Sequence, residues 1–167
     1  MSVQLCFALP SEFRPIPVRG ELRDRGAVEA GWLPLAEHPE AAAMLVLAVR
    51  EVPAPRSGMR TAEVVEGMAE ALRREQPHAA VESRELAGGP AVVLRRAGTF
   101  RFPEHPAPVD TVDIQVLIPT PDLDEVVVLD VSTGHVGHWP EFAAVALAVA
   151  ETVRFTRPEI SGRLDLA

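Results

Sequence analysis

Residues 109–133 constrain the fold most strongly, because they have the pattern of two strands joined by a short turn. In residues 109–119, every second position carries an apolar side chain that faces one side of a strand: Val112, Ile114, Val116 and Ile118. The segment TPDLDE (120–125) is rich in turn-forming residues, and VVVLDVST (126–133) is a second apolar run. The sequence therefore predicts a long antiparallel hairpin.

The position of the turn also predicts the register of this hairpin to within a residue or two. With the turn centred in the middle of TPDLDE, we expect Asp113 beside Val131, and segment 108–110 beside Gly134 and His135. The loop before the first strand and the connection after the second strand should therefore meet at one end of the sheet.

Further strands are predicted on either side of this hairpin. AVESREL (80–86) and AVVLRRAGTFRF (91–102) flank a Gly-Gly-Pro turn, which is typical of a second hairpin. AAMLVLAVREV (42–52) is apolar on both faces through Val49, a pattern that favours a central strand covered on both sides.

Two amphipathic helices are predicted as well. In residues 59–75, with Thr61 as the expected N-cap, one buried stripe is formed by Val65, Met68, Ala69 and Leu72. The second helix begins at Trp139, has Pro140 in its first turn and ends before Arg154. The preceding GHVGHW is then a strand-to-helix connection, and Trp139 is expected to cover the end of the core.

The remaining segments are less regular. Residues 3–9 alternate like a first strand, in which Cys6 is expected to be a buried, inert thiol. Residues 11–40 have the least regular pattern, and within them ELRDRGAVEAGW (21–32) fits one helical turn or a pair of short strands. We expect residues 1–157 to form one domain and residues 158–167 to be a C-terminal tail, either a strand or loose chain.

These elements together predict an α+β fold. The strands are expected to pair as antiparallel hairpins, and each amphipathic helix has one apolar stripe to bury.

Composition argues against nucleic acid as a partner. The chain has a formal net charge of −8 and a pI near 5.1, whereas a protein that neutralises phosphates needs a concentrated basic face. The basic cluster of Arg95, Arg96 and Arg101 is flanked by acidic segments. All 16 basic residues are arginine, and lysine, asparagine and tyrosine are absent, a codon bias that favours a high-GC bacterial genome.

The sequence also lacks the patterns that indicate a membrane span or an export signal. Uncharged apolar runs such as 41–49 and 142–150 fall far short of the ~20 apolar residues that a bilayer span needs. The first residues alternate and lack a basic region, unlike a signal peptide. We therefore expect a cytoplasmic protein with no membrane partner. A single cysteine excludes an intrachain disulfide and cysteine-rich metal sites.

Histidines near the expected sheet end form one candidate site. His105 precedes the first strand of the long hairpin, and His135 and His138 follow its second strand, with Asp110 and Asp113 in reach. Such a set resembles the ligands of a catalytic zinc site. The histidines lie on glycine-flanked backbone and do not form a metal-ligand motif. We therefore predict that they are ordinary polar loop residues and that the protein binds no metal and no cofactor. His38 and His78 each lie beside a proline or a helix end, and the sequence gives even less reason to place a site at them.

Two carboxylates fall in the middle of predicted strands, at Asp113 and Asp130. A carboxylate within a sheet either faces water or needs a partner. Arg95 or Arg96 of the other hairpin is the expected partner, in an ion pair that is structural, since no nucleophile accompanies it.

No catalytic motif is present. The sequence has no G-x-S-x-G elbow, no phosphate-binding G-x-x-x-x-G-K-[ST] loop and no G-x-G-x-x-G after a strand. We therefore predict that the chain is not an enzyme.

The order of elements, with the stretches FALPSEF (7–13) and HWPEFAAVALAVAETVRF (138–155), resembles the PsbP-like superfamily. That group includes an extrinsic photosystem II protein, a nuclear import factor and the LpqN-type lipoproteins of high-GC bacteria. The resemblance implies an antiparallel sheet between helices, in an α/β/α sandwich used for binding or assembly. It supplies no functional residues, and the lipobox cysteine of the lipoprotein members is absent here.

Two functions remain open at this point. The first is an accessory or interaction module that binds another protein through an exposed sheet face, a sheet edge or the loop end bearing Trp139 and Trp32. Plain core packing of both tryptophans is the competing explanation of those residues. The second is a metal-assisted hydrolase or small-ligand binder that uses His105, His135 and His138. The partner and the oligomeric state do not follow from the sequence.

Overall fold

The computed structural model describes residues 4–52 and 58–156. The strands are β1 (Gln4–Cys6), β2 (Arg14–Pro15), β3 (Ala27–Pro34), β4 (Ala42–Glu51), β5 (Ala80–Leu86), β6 (Gly89–Phe100), β7 (Val109–Pro119), β8 (Glu125–Thr133) and β9 (Arg154–Thr156). The helices are α1 (Glu21–Asp24), α2 (Thr61–Glu75) and α3 (Trp139–Thr152), and a 3-10 turn, Val136–His138, leads into α3.

In this described part of the chain, strands β2 to β8 form one antiparallel sheet in the spatial order β2-β3-β4-β8-β7-β6-β5. The predicted α+β class is confirmed, as are both hairpins, β5–β6 and β7–β8. Strands β1 and β9 pair with each other in a separate two-stranded sheet.

Helix α3 covers one face of the main sheet. Its Phe142 is fully buried against apolar side chains of the central strands, the largest of which are Leu33, Leu45, Leu47, Ile114, Ile118 and Leu129. Leu5 of β1 and Phe155 of β9 pack against the same core, so the small sheet closes this layer. The predicted start of this helix at Trp139 is confirmed.

Helix α2 packs on the opposite face, against β5 and β6. Val65 and Ala69 are buried there on Val92, with Met68, Leu72, Val81 and Leu117 around them. Helix α2 lies at the β5–β6 side, and the same face of β3, β4 and β8 carries the exposed Trp32 and the half-buried Met44, Val46, Asp130 and Ser132 beside the buried Ala30, Ala48 and Val128.

Several local expectations need correction. Thr61 is the first residue of α2, and Arg60 is the N-cap. The reason is that Glu63 accepts a hydrogen bond of 3.0 Å from the Arg60 backbone N–H, which replaces a threonine cap. The register of the long hairpin lies within the expected residue or two, with Asp113 facing Ser132, the neighbour of Val131.

Cys6 is exposed, contrary to expectation, with its Sγ 3.9 Å from Thr156 Oγ1. The cause is that β1 pairs only with β9 at the periphery and does not enter the main sheet. Within residues 21–32, the predicted helical turn is present as α1, and the predicted alternative of two short strands is wrong because the rest of the segment belongs to the single strand β3. The predicted tail, 158–167, lies outside the described residues.

No helix within the described ranges combines the length and the apolar character required to cross a membrane.

Candidate functional site

The half of the sheet that α2 leaves uncovered presents a mixed apolar and polar surface, which we call the open face. It comprises Trp32, Met44, Val46, Phe100, Arg96, Asp113, Gln115, Asp130 and Ser132. Strand register places these residues together, because cross-strand partners share a face and alternate residues of one strand do too. One row, for example, pairs Asp113 with Ser132, Ser132 with Met44 and Met44 with Trp32.

Trp32 is the most prominent apolar residue of the open face. It is 50% exposed in the middle of β3, although tryptophan is usually largely buried. Phe100, two pleats beyond Arg96 on β6, is 53% exposed. The two aromatic residues therefore flank the open face on opposite sides.

The two tryptophans have different environments. Trp139, at the start of α3, is half-buried and packs against the main core, as the core-packing interpretation predicted. Trp32 does not follow that interpretation, because its side chain on β3 is 50% exposed.

An ion pair lies at the α2 side of the open face. Arg96 donates from Nε and Nη2 to Asp113 Oδ2 at 2.9 and 2.7 Å, and from Nη1 to Gln76 Oε1 at 3.2 Å. Of the two expected arginines, Arg96 therefore pairs with Asp113, whereas the expected arginine partner of Asp130 is not found among the described ion pairs. Arg95 instead pairs with Glu82, at 3.3 Å.

Asp130 is in the centre of the open face and has a neutral partner. Gln115 Nε2 donates to Asp130 Oδ2 at 2.6 Å. Burial raises the pKa of the Asp130 carboxyl, the Gln115 hydrogen bond opposes that rise, and the nearby Asp113 charge adds to it. In the described part of the chain, no cation forms an ion pair with Asp130 within 4 Å.

The start of β7 lies beside the connection that follows β8, at one end of the sheet. A Cβ placed on Gly134 would lie 3.3 Å from Val109 Cγ1 and 3.7 Å from Asp110 O, so the expected approach of segment 108–110 to Gly134 is confirmed. His105 Nδ1 lies 2.9 Å from Ala107 O within its own loop. The backbone N–H of His135 donates to Thr133 Oγ1 at 2.9 Å.

His138 meets a different set of side chains. Its ring centroid is 4.5 Å from that of His38, and potential ligand atoms of His38, Glu40 and His138 all lie within 4.8 Å of one another. Within the described residues, no other group of three or more His, Cys, Asp or Glu side chains is as compact. The group does not include His105 or His135.

Sequence reasoning missed this group because it depends on the pairing of β4 with β8. That pairing places the β3–β4 loop, residues 35–41, beside the connection from β8 to α3. The only local signal was His38 and Glu40, two residues apart beside Pro39.

No protein-family model matches this sequence, and a comparison with curated proteins gave no match. Among solved structures, the fold is similar to that of LpqN, described as involved in cell envelope biogenesis of Mycobacterium tuberculosis. The TM-score is 0.56 and the sequence identity 15%, over 93% of this chain and 85% of LpqN. The resemblance to LpqN-type proteins is thus found as a likeness of fold.

Proposed function

We propose that this chain is a non-enzymatic accessory module that docks a partner protein on the open face. The observation that supports it most directly is Trp32, half exposed in a strand with Met44 as its cross-strand neighbour. Tryptophan supplies large contact area and is enriched among the residues that dominate binding energy.

Charge on the open face indicates the chemistry of the partner. Arg96 already compensates Asp113, whereas Asp130 has only the Gln115 amide and a raised carboxyl pKa. An incoming guanidinium would relieve that carboxylate with a charge-assisted hydrogen bond. The partner is therefore a protein segment that presents an arginine between apolar side chains, and the net charge of −8 favours its approach.

We also propose that the chain belongs to the PsbP-like superfamily and that it is cytoplasmic. The fold likeness to LpqN, at a TM-score of 0.56, supports the first part. Because LpqN is described as involved in cell envelope biogenesis, proteins of that process are the first in which to search for the partner.

A photo-crosslinking experiment in the source cells tests the docking surface. A benzophenone amino acid replaces Phe100 on the open face, and a control replaces Ala144, which is exposed on α3 at the other side of the sheet. We expect one dominant adduct from position 100 that is absent from position 144, and that is lost when Trp32→Ala is added.

Calorimetry with the purified partner then measures the contribution of each residue. Trp32→Ala should weaken binding by about 2 kcal/mol or more, as for other central aromatic contacts. Asp130→Asn should weaken binding and reduce its sensitivity to salt. Identical adducts from both crosslinking positions, adducts unaffected by Trp32→Ala, or self-association through Trp32 in sedimentation experiments would contradict the proposal.

A further inference from the structure

We propose that His38, Glu40 and His138 form a binding site for a divalent transition-metal ion, with zinc as the metal. The three side chains come from two separate loops, and their potential ligand atoms lie within 4.8 Å of one another. The site is at the end of the sheet and does not depend on the docking function proposed for the open face.

The donor set suits zinc. Two imidazole nitrogens and one carboxylate oxygen are a recurrent protein set for this ion, with bonds of about 2.0–2.2 Å and a fourth position left open. Ligands of one tetrahedral zinc ion are therefore about 3.3–3.5 Å apart. His38 Nδ1 and Glu40 Oε1 already lie 3.4 Å apart.

The backbone on both sides of the group is held by hydrogen bonds. In the β3–β4 loop, Leu35 N–H donates to Ala41 O at 3.1 Å and Ala41 N–H donates to His38 O at 2.9 Å. On the other side, His138 N–H donates to His135 O at 3.0 Å. Only the exposed side chains of His38 and Glu40 then need to turn to close around an ion.

A further hydrogen bond joins the two loops. Thr133 Oγ1, at the end of β8, donates to Ala42 O, at the start of β4, at 2.8 Å. The distance between the loops is therefore set by the sheet, which favours a preformed site.

His138 has an unsatisfied nitrogen in this group. Its Nδ1 is buried and has no hydrogen-bond partner among the described residues. The Glu141 carboxylate lies 3.6 Å away, just too far for a hydrogen bond. A small movement would allow Glu141 to accept from His138 Nδ1 and so orient the ring, as carboxylates do behind zinc-bound histidines.

Electrostatics also favours a cation. Glu40 and Glu141 place two carboxylates around the two imidazoles, with Glu40 Oε1 3.4 Å from His38 Nδ1 and Glu141 Oε1 3.6 Å from His138 Nδ1.

The test is a zinc titration of the untagged, chelator-treated full chain, followed by calorimetry and by competition with a chromophoric chelator. We expect one zinc ion per chain. His38→Ala, His138→Ala and Glu40→Gln should each weaken zinc binding at least about 10-fold, since losing even an outer partner of a ligand costs about 10–100-fold. His105→Ala and His135→Ala are matched controls and should bind zinc like the parent.

Thermal unfolding with and without zinc supplies a second measurement. Each variant is compared with itself, so a lower stability of one variant does not affect the result. Zinc should raise the Tm of the parent and of both control variants, and should leave the Tm of the His38→Ala/His138→Ala double variant unchanged. Parent protein that binds no zinc, zinc binding that survives the double substitution, or loss of zinc in either control variant would each overturn the proposal.

Discussion

Gln115 and Asp130 face each other across β7 and β8, and the Gln115 amide donates a hydrogen bond of 2.6 Å to the Asp130 carboxylate. Asp113 of β7 and, more distantly, Arg96 of β6 and Arg50 of β4 act on the same carboxylate through their charges. Burial outweighs the favourable contacts and raises the pKa of Asp130, so the ionised form is held in the sheet at a cost.

Asp130→Asn should therefore increase the free energy of unfolding at about pH 7. Since the folded-state pKa of Asp130 is raised, the folded chain binds this proton more tightly than the unfolded chain does. The contribution of Asp130 to the stability of the parent is fully present below about pH 4, the ordinary pKa of an aspartate in the unfolded chain. This contribution is lost as the pH rises from there through the raised folded-state pKa. The advantage of the variant should grow across that window in urea unfolding at several pH values.

A variant of opposite sign checks the cause. Gln115→Leu removes the amide that donates to Asp130 and should lower the free energy of unfolding at neutral pH by about 1–3 kcal/mol. If Asp130→Asn were less stable than the parent throughout the pH range, burial of the charge would not be the dominant effect.

The Arg96–Asp113 pair should show measurable coupling in a double-mutant cycle. Replacing each residue and then both with alanine should give a coupling free energy of about 1 kcal/mol, because both side chains are partly buried. Arg95 and Glu82, on β6 and β5, form a more exposed ion pair, and the same cycle there should give less than about 0.5 kcal/mol. Equal coupling in the two cycles would contradict the role assigned to burial.

Fluorescence should separate the two tryptophans. Trp139→Phe leaves Trp32, which is half exposed, as the sole indole and should give red-shifted emission that acrylamide quenches readily. Trp32→Phe leaves Trp139 against the core and should give blue-shifted, protected emission. Similar spectra from the two variants would mean that Trp32 is covered in solution.

Gly31→Ala should destabilise the chain through β2. A Cβ on Gly31 would collide with Arg14 O and would lie 2.5 Å from the Phe13 ring, so the short edge strand must move. We expect the free energy of unfolding to fall by about 1–3 kcal/mol in urea titrations. Gly98→Ala is the control, since a Cβ there has no heavy atom within 4 Å and should be tolerated.

Patterns within short segments determined most of the secondary structure of this protein. Alternation in β7 and β8, the turn at 120–125 and the proline after Trp139 predicted a hairpin and the start of a helix that the structure contains. Such features follow from side-chain periodicity and turn chemistry, which act over a few residues. The Arg96–Asp113 pair was also predictable, because it links neighbouring hairpins.

Only the tertiary structure decided which distant segments meet. The pairing of β4 with β8 joins residues more than 70 positions apart along the chain, and it places His38 and Glu40 beside His138. Periodicity states that a strand has a buried face but not which strand lies next to it. The position of α2 over β5 and β6, which leaves Trp32 exposed, is likewise a result of packing among whole elements, because several sheet positions offer an equivalent apolar face.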